Sequence, residues 1–426
     1  MREMKDSGCN YLGMIPSSWS TSRLKGYFKV SRTTGRPDAT VLSLYRDYGI
    51  VPKDSRSDNH NVTSLDTSKY KFVEVGDFVV NKMKGWQGSM ALSAYEGIVS
   101  PAYHVFKFIS PLLLPKYAHY LLRCRSYADE WHKLSTGLRV GQWDLHVEDF
   151  LNTRIPVPSL DEQRRIADCL DEECVEIDRA VSAAEQSIEE YRAYQNDVVK
   201  RAIVYGTCNA FKVKESGVPA IGKMNASWGL VMVKRLAVFL NGDRSDSYPS
   251  GDDIQEAGIP FITSGDLNGR YLPDVFSKYI SQDKYDSLKG VKLRRGDVVF
   301  CLRGSVGKCS LNRTENCGTV ASSLTVARPI CCAPEWLSYA LTCSSTTNQA
   351  MATAIGATSA NLAANVLARA FVPLPPFSEQ RLIADYLDEK CTQIDAAIAA
   401  KQAIIADLKA YEQSLIYETV TGKREV

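Results

Sequence analysis

The sequence of 426 residues contains one block of residues twice. Residues 156–178 read PVPSLDEQRRIADCLDEECVEID, and residues 373–395 read PLPPFSEQRLIADYLDEKCTQID. The two segments lie 217 positions apart and are identical at 14 of 23 positions, which chance would almost never give. Repetition of a segment at a fixed distance indicates a duplicated architecture, so the chain is expected to be built from two copies of one plan.

A weaker repeat precedes each block and extends the duplication over the chain. A Ser-Gly pair, a further glycine and a tryptophan recur with a constant offset of 209 residues, although Asn225 stands where the first copy has Pro16. We therefore predict a globular domain at 1–155, a long helix in 156–207, a second globular domain at 208–372 and a second long helix in 373–426. The recurring residues are Ser7, Gly8, Gly13 and Trp19 in the first copy and Ser216, Gly217, Gly222 and Trp228 in the second.

Each block is predicted to start one of the long helices. Its Pro-x-Pro opening is incompatible with a helix interior, and helical periodicity follows it. Asp161 and Ser378 occupy the same aligned position, and both are good N-cap residues. We prefer this shared cap to a capping box of Ser159 with Glu162, because the second copy has no counterpart of Ser159.

Apolar residues recur every three or four positions along both predicted helices. Such a stripe, sustained over several turns, favours coiled-coil packing of the two helices against each other. The alternative is that each stripe packs against its own globular domain. The stripes are Ile177, Val181, Ala184, Ile188, Tyr191, Tyr194, Val198, Ala202 and Tyr205, and Ile394, Ile398, Lys401, Ile405, Leu408, Tyr411 and Leu415.

The residue pattern of the two variable regions is typical of mixed α and β structure. Short runs rich in Val, Phe and Tyr alternate with Gly, Asp and Asn, and residues 71–81 and 292–301 are each predicted to form a turn followed by a strand. The predicted fold class is α+β. It comprises two globular domains separated by two long helices that pack as an antiparallel coiled coil, with an internal pseudo-twofold repeat.

The formal charge is distributed unevenly along the chain. Residues 1–160 carry a net charge of +6 and residues 206–377 carry +5, whereas residues 161–205 carry −6 and residues 378–426 carry −3. Phosphate backbones attract the basic domains and repel the acidic helices, so a nucleic-acid surface is expected on the domains. An acidic helix can also simply be a solvated surface.

The loops that follow the two Gly-Asp strands are the best candidates for nucleic-acid contact. Glycine lets the backbone approach a phosphate closely, while Arg, Lys and Gln side chains can read base edges. A second loop before each Pro-x-Pro segment is a weaker candidate, and an ordinary surface hairpin is the alternative for all of them. The candidates are Lys82, Lys84, Gln87, Arg139 and Gln142 in the first copy and Arg303, Ser305, Lys308, Ser359 and Asn361 in the second.

The sequence carries no convincing catalytic motif. The segment RGSVGKC at 303–309 has Leu302 where a phosphate-binding loop needs glycine and Cys309 where it needs Ser or Thr. The 12 cysteines are dispersed without a CxxC pair, which predicts reduced thiols and no metal site. The charged amino terminus and the absence of a long apolar run predict a cytoplasmic protein without a leader peptide or a membrane span.

The duplicated block follows a domain that opens with Ser-Gly-x-x-x-Leu/Ile-Gly and a tryptophan. In this combination the chain resembles the specificity subunit of type I restriction-modification systems over its whole length. The resemblance implies a non-catalytic subunit with two target-recognition domains, each reading one half of a bipartite, asymmetric double-stranded DNA target. As a helix, residues 178–205 would be roughly 40 Å long, close to the ~34 to 36 Å of one DNA turn, so the helices are expected to set the spacer between the half-sites.

The resemblance also implies partners and assembly residues. Two modification subunits would carry an S-adenosylmethionine-dependent adenine methyltransferase, and two restriction subunits would carry nuclease and ATP-driven translocase activities. S-adenosylmethionine, ATP and Mg²⁺ are therefore expected in the partners, and this chain is expected to bind no cofactor. The residues implicated in docking and helix packing are Glu162, Gln163, Arg164, Ile188, Tyr191, Glu379, Gln380, Arg381, Ile405 and Leu408.

Two alternatives remain at this point. A non-enzymatic tandem scaffold that binds protein would also have two domains and two helices, but the opposite charges of domains and helices argue against it. A self-contained DNA methyltransferase or nuclease would need a cofactor motif or a carboxylate-lysine cluster, and neither is found in the sequence.

Overall fold

The computed structural model describes residues 2–46, 49–56, 63–64, 66–135, 143–208, 212–245, 247–315, 318–353 and 362–426. The chain divides into two compact units. Unit 1 comprises Met1–Glu185 and Gln402–Val426, and unit 2 comprises Gln186–Lys401. Each unit therefore joins one globular domain to the first part of one long helix and the last part of the other.

Unit 1 combines short strands and short helices, in agreement with the predicted α+β class. In its described residues these are β1 (Met4–Asp6), β2 (Met14–Pro16), β3 (Ser20–Arg23), β4 (Phe28–Ser31), β5 (Leu42–Tyr45), β6 (Gly49–Pro52), β7 (Lys71–Val73), β8 (Phe78–Asn81), β9 (Met90–Leu92), β10 (Gly97–Val99), β11 (Tyr103–Phe108), α1 (Pro115–Arg123), α2 (Arg125–Leu134), α3 (Val147–Asn152), β12 (Arg154–Val157) and the long helix α4 (Leu160–Tyr205), which continues into unit 2.

Unit 2 repeats this composition. Its described elements are β13 (Val213–Glu215), β14 (Lys223–Asn225), β15 (Gly229–Met232), β16 (Ala237–Asn241), β17 (Ile259–Ile262), β18 (Tyr279–Ile280), α5 (Gln282–Ser287), β19 (Val298–Cys301), β20 (Cys309–Leu311), β21 (Thr319–Val320), β22 (Leu324–Pro329), α6 (Pro334–Thr342), α7 (Ser344–Thr353), α8 (Ala364–Arg369), β23 (Phe371–Leu374) and the long helix α9 (Phe377–Val420), which ends in unit 1.

The same four-stranded antiparallel sheet lies in both units. Its strand order is β4-β11-β8-β9 in unit 1 and β16-β22-β19-β20 in unit 2. The strands correspond one to one along the chain, so the duplication extends to the topology of the domains. Unit 2 adds a small sheet in the order β18-β17-β21, in which β17 and β21 are parallel.

The Gly-Asp pairs form the predicted turns before β8 and β19. Gly76 and Gly296 have φ values of +91° and +86°, a region that favours glycine. The buried carboxylate of Asp77 accepts a hydrogen bond from the Glu74 N–H at 2.9 Å, and that of Asp297 accepts one from the Arg294 N–H at 2.8 Å. Each aspartate thereby closes its own turn and aims the following strand into the sheet.

The long helices begin earlier than their predicted caps. Helix α4 starts at Leu160 and α9 starts at Phe377, so Asp161 and Ser378 lie within the first turns and the shared-cap prediction is wrong. In α4 the Ser159 hydroxyl accepts a hydrogen bond from the Glu162 N–H at 3.3 Å. Both prolines of each Pro-x-Pro segment lie before the helix, as expected from their restricted backbone.

The predicted residues of the apolar stripes are buried or partly buried except at one position in each helix. Tyr194 and Tyr411 are about half exposed, whereas Gln195 and Glu412, one residue later, lie partly buried on the stripe. Strict alternation of three-residue and four-residue steps selects these polar residues instead of the tyrosines. In unit 2 the Gln195 side-chain amide donates to the Asp395 carboxylate at 2.9 Å and links the two helices.

Within each unit the apolar stripe of one long helix packs both against the other long helix and against the globular domain. Both alternatives considered for the stripes are therefore present. In unit 1, Ile177 and Val181 of α4 share a hydrophobic cluster with Leu415 and Val420 of α9 and with the domain core. In unit 2, Ala202 of α4 clusters with α9 and the second domain in the same way. Within each unit the start of one helix thus lies beside the end of the other, which makes the pair antiparallel.

A tryptophan joins the start of one helix to the end of the other in both units. In unit 1 the buried Trp19 indole N–H donates to the Glu162 carboxylate at 2.9 Å. Its ring lies so close to the chain after α9 that a Cβ on Gly422 would be 2.9 Å from it. In unit 2 the Trp228 N–H donates to Glu379 at 3.0 Å, and a Cβ on Gly206 would be 3.1 Å from its ring.

The glutamine of the duplicated block fixes the segment before each helix. The buried Gln163 amide donates to the Pro158 carbonyl at 3.0 Å and accepts from the Leu114 N–H at 2.8 Å. In unit 2, Gln380 makes the same two contacts with the Pro375 carbonyl and the Ala333 N–H. Leu114 and Ala333 are the residues just before α1 and α6, so this one side chain ties a short domain helix to a long helix.

The duplicated Leu-Asp pair provides a second anchor between each domain and its helix. In unit 1, Asp171 accepts hydrogen bonds from Tyr120 at 2.7 Å and Lys116 at 2.6 Å. In unit 2, the Asp388 carboxylate accepts from the hydroxyls of Tyr339 and Tyr271, each at 2.7 Å, and from Arg270 at 2.8 Å. Burial alone would raise the pKa of Asp388, but these hydrogen bonds and the Arg270 charge hold it below its ordinary value.

Asn225, the one departure in the weaker repeat, has a structural role. Its amide donates to the carbonyl of Tyr205, the last residue of α4, at 3.1 Å, and its side-chain oxygen accepts from the Ser227 N–H at 3.0 Å. The asparagine thus satisfies a carbonyl that the helix itself leaves without a partner.

Gly422→Ala tests the tryptophan junction. A Cβ at Gly422 would lie 2.4 Å from Pro16 and would also carry the strain of φ +73°. Positive φ costs about 1–2 kcal/mol, and overpacking adds typically about 1–3 kcal/mol. Gly8→Ala is the matched control, since Gly8 has φ +70° but nothing within 4 Å of its Cβ position. Urea unfolding of the full chain should show a clearly larger loss for Gly422→Ala, and equal losses would contradict the close contact.

Asp388→Asn tests the unit 2 anchor and its pH dependence. Losing the charged acceptor of Arg270 and two tyrosines is expected to cost about 1.5–3 kcal/mol of unfolding free energy at neutral pH. Because the pKa of Asp388 is lowered by folding, its contribution is complete above the unfolded-state pKa and is lost as the pH falls through the folded value. The difference between wild type and variant should therefore shrink below a pH of about 4. The exposed Asp385→Asn is the control, and a pH-independent difference would contradict the assignment.

Candidate nucleic-acid interface

In each domain, a residue that follows the second predicted contact loop is hydrogen-bonded to the backbone at the start of the first loop. We define the glycine loops as residues 82–88 in unit 1 and 303–308 in unit 2. In unit 1 the Leu145 N–H donates to the Lys82 carbonyl at 2.8 Å, and in unit 2 the Leu362 N–H donates to the Leu302 carbonyl at 2.8 Å. The candidates Arg139, Gln142, Ser359 and Asn361, on the second loops, lie outside the described residues.

The glycine loop of unit 1 presents cationic and amide side chains. Lys84 and Gln87 are exposed, and Lys82 is partly exposed with its ammonium 3.5 Å from the Asp144 carboxylate. The loop turns at Gly88, whose φ of +77° permits the reversal, and the Trp86 indole N–H holds the Met83 carbonyl at 2.9 Å. These contacts fix the backbone, and within the described residues Lys84 and Gln87 form no side-chain hydrogen bond or ion pair, so both can reach a ligand.

Two cations distant in sequence, Arg32 and Lys71, lie near Lys82 of this loop, together with the neutral imidazole of His104. Burial lowers the pKa of Lys71, and repulsion from Lys82 and Arg32 lowers it further. Burial, with Lys71 nearby, also lowers the pKa of His104 to about 4. Lys71, Lys82 and Arg32 are close enough to repel one another, and such a concentration of positive charge attracts anionic ligands. Sequence reasoning missed these residues because Arg32 lies just after β4, Lys71 on β7 and His104 on β11, all outside the loop along the chain.

Three aromatic rings, one of them on the loop, form a cluster in unit 1. The centroids of Trp86 and Trp143 are 5.2 Å apart, and His132 of α2 lies 5.1 Å from Trp86 and 4.9 Å from Trp143. Beside them is a cleft of about 570 Å³ whose lining includes Arg46 and Arg125. The sequence contains no local signal for this cluster, since its three rings come from three separate segments.

The glycine loop of unit 2 is built differently. Arg303, Ser305 and Lys308 are all exposed, and positive φ values at Gly304 and Gly307 produce a tight reversal. The Lys308 ammonium donates to the Asn268 side-chain oxygen at 3.1 Å. Thus the two units share the position of this loop but present lysine and glutamine in one case and mainly arginine, serine and lysine in the other.

The predicted assembly residues fall into three groups. Glu162, Gln163, Glu379 and Gln380 are occupied by the contacts within the chain described above. Ile188 is buried, while Tyr191, Ile405 and Leu408 are partly buried. Arg164 and Arg381 are exposed, Arg164 beside Asp161 at 2.8 Å and Arg381 over the Phe377 ring at 4.9 Å. Their role in docking partner subunits stays a prediction.

The described residues contain no cluster of three or more His, Cys, Asp or Glu that could hold a metal ion. Burial raises the pKa of Cys174, Cys309 and Cys332 to about 12, which keeps these thiols protonated and unreactive. Within the same residues, no helix has the length and apolar character that a membrane crossing requires.

Comparison with known proteins gives consistent matches over nearly the whole chain. Residues 16–180 and 231–410 match the family described as "Type I restriction modification DNA specificity domain". A specificity subunit of the type I restriction enzyme MjaVIII from Methanocaldococcus jannaschii is 22% identical over 430 residues, covering 97% of this chain and 94% of that protein.

A solved structure shows the same fold. One chain, from a structure described as the basis of complex assembly and conformational transition of the type I R-M system, has a TM-score of 0.68 at 17% identity, covering 95% of this chain and 98% of that one. The HsdS subunit from Thermoanaerobacter tengcongensis has a TM-score of 0.49 at 18% identity, covering 96% and 98%. With a family match over most of its length, in two copies that fall on the two repeats, the chain belongs to the family of type I restriction-modification DNA specificity subunits.

Proposed function

We propose that the globular domain of each unit reads one half of a split, asymmetric double-stranded DNA target. The observation that carries this proposal is that the glycine loops of the two units have the same backbone position. In both units an equivalent backbone hydrogen bond joins the start of the glycine loop, at Lys82 or at Leu302 directly before Arg303, to Leu145 or Leu362, which follow the second-loop candidates. The side chains on the two glycine loops differ, although the loops lie beside the same sheet. Loops with the same backbone position but different side chains suit two half-sites of different sequence.

The chemistry of the loops supports DNA as the ligand. Both domains are basic, and the exposed Lys84, Gln87, Arg303 and Lys308 are residue types that bind phosphates or base edges. A protein-binding scaffold is the alternative. It accounts less well for net charges of +6 and +5 on two domains joined by acidic helices.

The long helices are suited to space the two half-sites and to dock partner subunits. Helix α4 has 46 residues and α9 has 44, and a 46-residue helix is about 70 Å long, so the segment of roughly 40 Å considered from sequence is part of a longer rod. We propose that the helices set the spacer between half-sites and dock two modification subunits. The exposed Arg164, Arg381, Leu382 and Tyr386 near the helix starts are available for such contacts.

In this proposal the chain supplies recognition and its partners supply catalysis in the cytoplasm. The modification subunits bind S-adenosylmethionine and methylate adenine, and two restriction subunits use ATP and Mg²⁺ for translocation and cleavage. The chain itself binds no cofactor.

A genome-wide adenine-methylation map of the host, with and without this gene, tests the proposed function. Loss of methylation from one split, asymmetric motif is the expected result. Identical maps from cells that express the modification subunits would contradict the proposal and favour a protein scaffold.

Single substitutions in the glycine loops should separate the two half-sites. Arg303→Ala is expected to relax recognition in one half-site only, and Lys84→Ala to affect the other, because each side chain belongs to a different domain. Loss of one base-edge contact corresponds to about 1–3 kcal/mol. Methylation mapping of both variants measures this directly. Equal loss at both half-sites for Arg303→Ala would make Arg303 a structural residue.

A further inference from the structure

A second arginine faces the glycine loop of unit 2 across a cleft. The cleft measures about 300 Å³ and is lined by polar and apolar residues that include Arg244, Arg303, Asn241, Asn365, Leu302 and Leu362. Arg244 follows β16 and lies 59 positions before Arg303 in the chain, outside both repeated segments. No sequence motif therefore connects the two arginines.

The backbone that carries Arg244 is fixed on both sides. The Asp243 carboxylate accepts hydrogen bonds from the N–H groups of Ser245 and Lys289, both at 2.7 Å. Hydrogen bonding from the Ser245 side chain, followed by the backbone N–H groups of Ser245 and Lys289, lowers the pKa of Asp243 to about 2. A Cβ on Gly242 would lie 2.1 Å from the Val320 carbonyl oxygen, so the chain passes closer here than other residues allow. Arg244 is thus presented from a rigid turn.

Both guanidinium groups remain available for a ligand. Arg244 and Arg303 are exposed, and among the described residues neither forms an ion pair with a carboxylate. Arg244 makes one long hydrogen bond, from Nη2 to the Ser322 carbonyl at 3.3 Å. None of the described residues that line the cleft is acidic. Two arginines that line one concavity without an ion pair among the described residues favour a group rich in hydrogen-bond acceptors.

The size of the cleft restricts what that group can be. A volume of about 300 Å³ is at the lower limit for small-molecule sites, which are typically ~300 to 1,000 Å³. It suits a single base edge or a single phosphate more than a dinucleotide cofactor. Guanine, through O6 and N7, and a backbone phosphate both present paired acceptors to arginine.

We infer that Arg244 and Arg303 form one joint binding site for an acceptor group of the DNA in the half-site read by unit 2. The inference rests on the proposed function and adds Arg244 as a DNA-contacting residue. It also predicts asymmetry between the half-sites. By the register of β4 and β16 on their partner strands, the position of Arg244 corresponds to Gly35 in unit 1, which has no charge.

The test uses the complete complex with its modification subunits and a fluorescent duplex containing the mapped target. Arg244→Ala should weaken equilibrium binding about fivefold to 150-fold, the equivalent of losing about 1–3 kcal/mol. Arg235→Ala is the matched control, since Arg235 is an exposed arginine at the opposite end of β16. Thermal unfolding of each variant checks that the fold is retained.

Two further measurements identify the bound group. For a guanine edge, Arg244→Ala should relax methylation at one base pair of a single half-site, and Arg244→Lys should not restore it, because lysine lacks the bidentate geometry. For a phosphate, affinity should fall equally for all sequences, the slope of log affinity against log salt should decrease by about 1, and Arg244→Lys should largely restore binding.

The double variant decides whether the site is shared. Removing Arg303 as well as Arg244 should weaken binding by less than the product of the two single losses, because residues at one site are coupled. Losses that multiply, or an Arg244→Ala complex within twofold of the Arg235→Ala complex, would overturn the inference. A wild-type complex without sequence-specific binding would instead refute the proposed function itself.

Discussion

The hydrogen bond from a buried indole N–H to the glutamate at the start of a long helix is the contact on which both units depend. Burying a carboxylate is costly unless it accepts hydrogen bonds, and Trp19 and Trp228 supply one to Glu162 and Glu379. Each ring also packs against a glycine just beyond the end of the other helix. One side chain per unit therefore fixes where one helix starts and where the other ends, and makes an antiparallel pair.

The residues that hold the domains on the long helices are different from the residues of the glycine loops. The repeated residues Glu162, Gln163 and Asp171, with their unit 2 counterparts, hold the domains on the helices through contacts within each unit. The glycine loops take no part in these contacts. Their side chains can therefore differ between the domains, as they do, while the sheet and the loop-to-loop hydrogen bond stay the same.

The predictions from sequence succeeded where one residue type had a local physical requirement. The Gly-Asp turns, the Pro-x-Pro segments outside the helices and most of the apolar stripes follow from backbone freedom and periodicity. The cap prediction was wrong because α9 starts at Phe377, directly after Pro376, so Ser378 lies inside the first turn and no cap is shared. Tyr194 and Tyr411 were misplaced because steps of three and four residues fit two neighbouring positions, and burial selected Gln195 and Glu412.

The sequence by itself determined the duplication, the alternation of basic domains with acidic helices, and the residue blocks that later proved to join them. Each of these is a property of order, periodicity or composition along the chain. Only the tertiary structure decided which distant side chains meet, such as Arg244 with Arg303, Lys71 with Arg32 and Asn225 with the end of α4. Strand pairing and loop closure bring these residues together across tens of positions, and neither leaves a periodic pattern in the sequence.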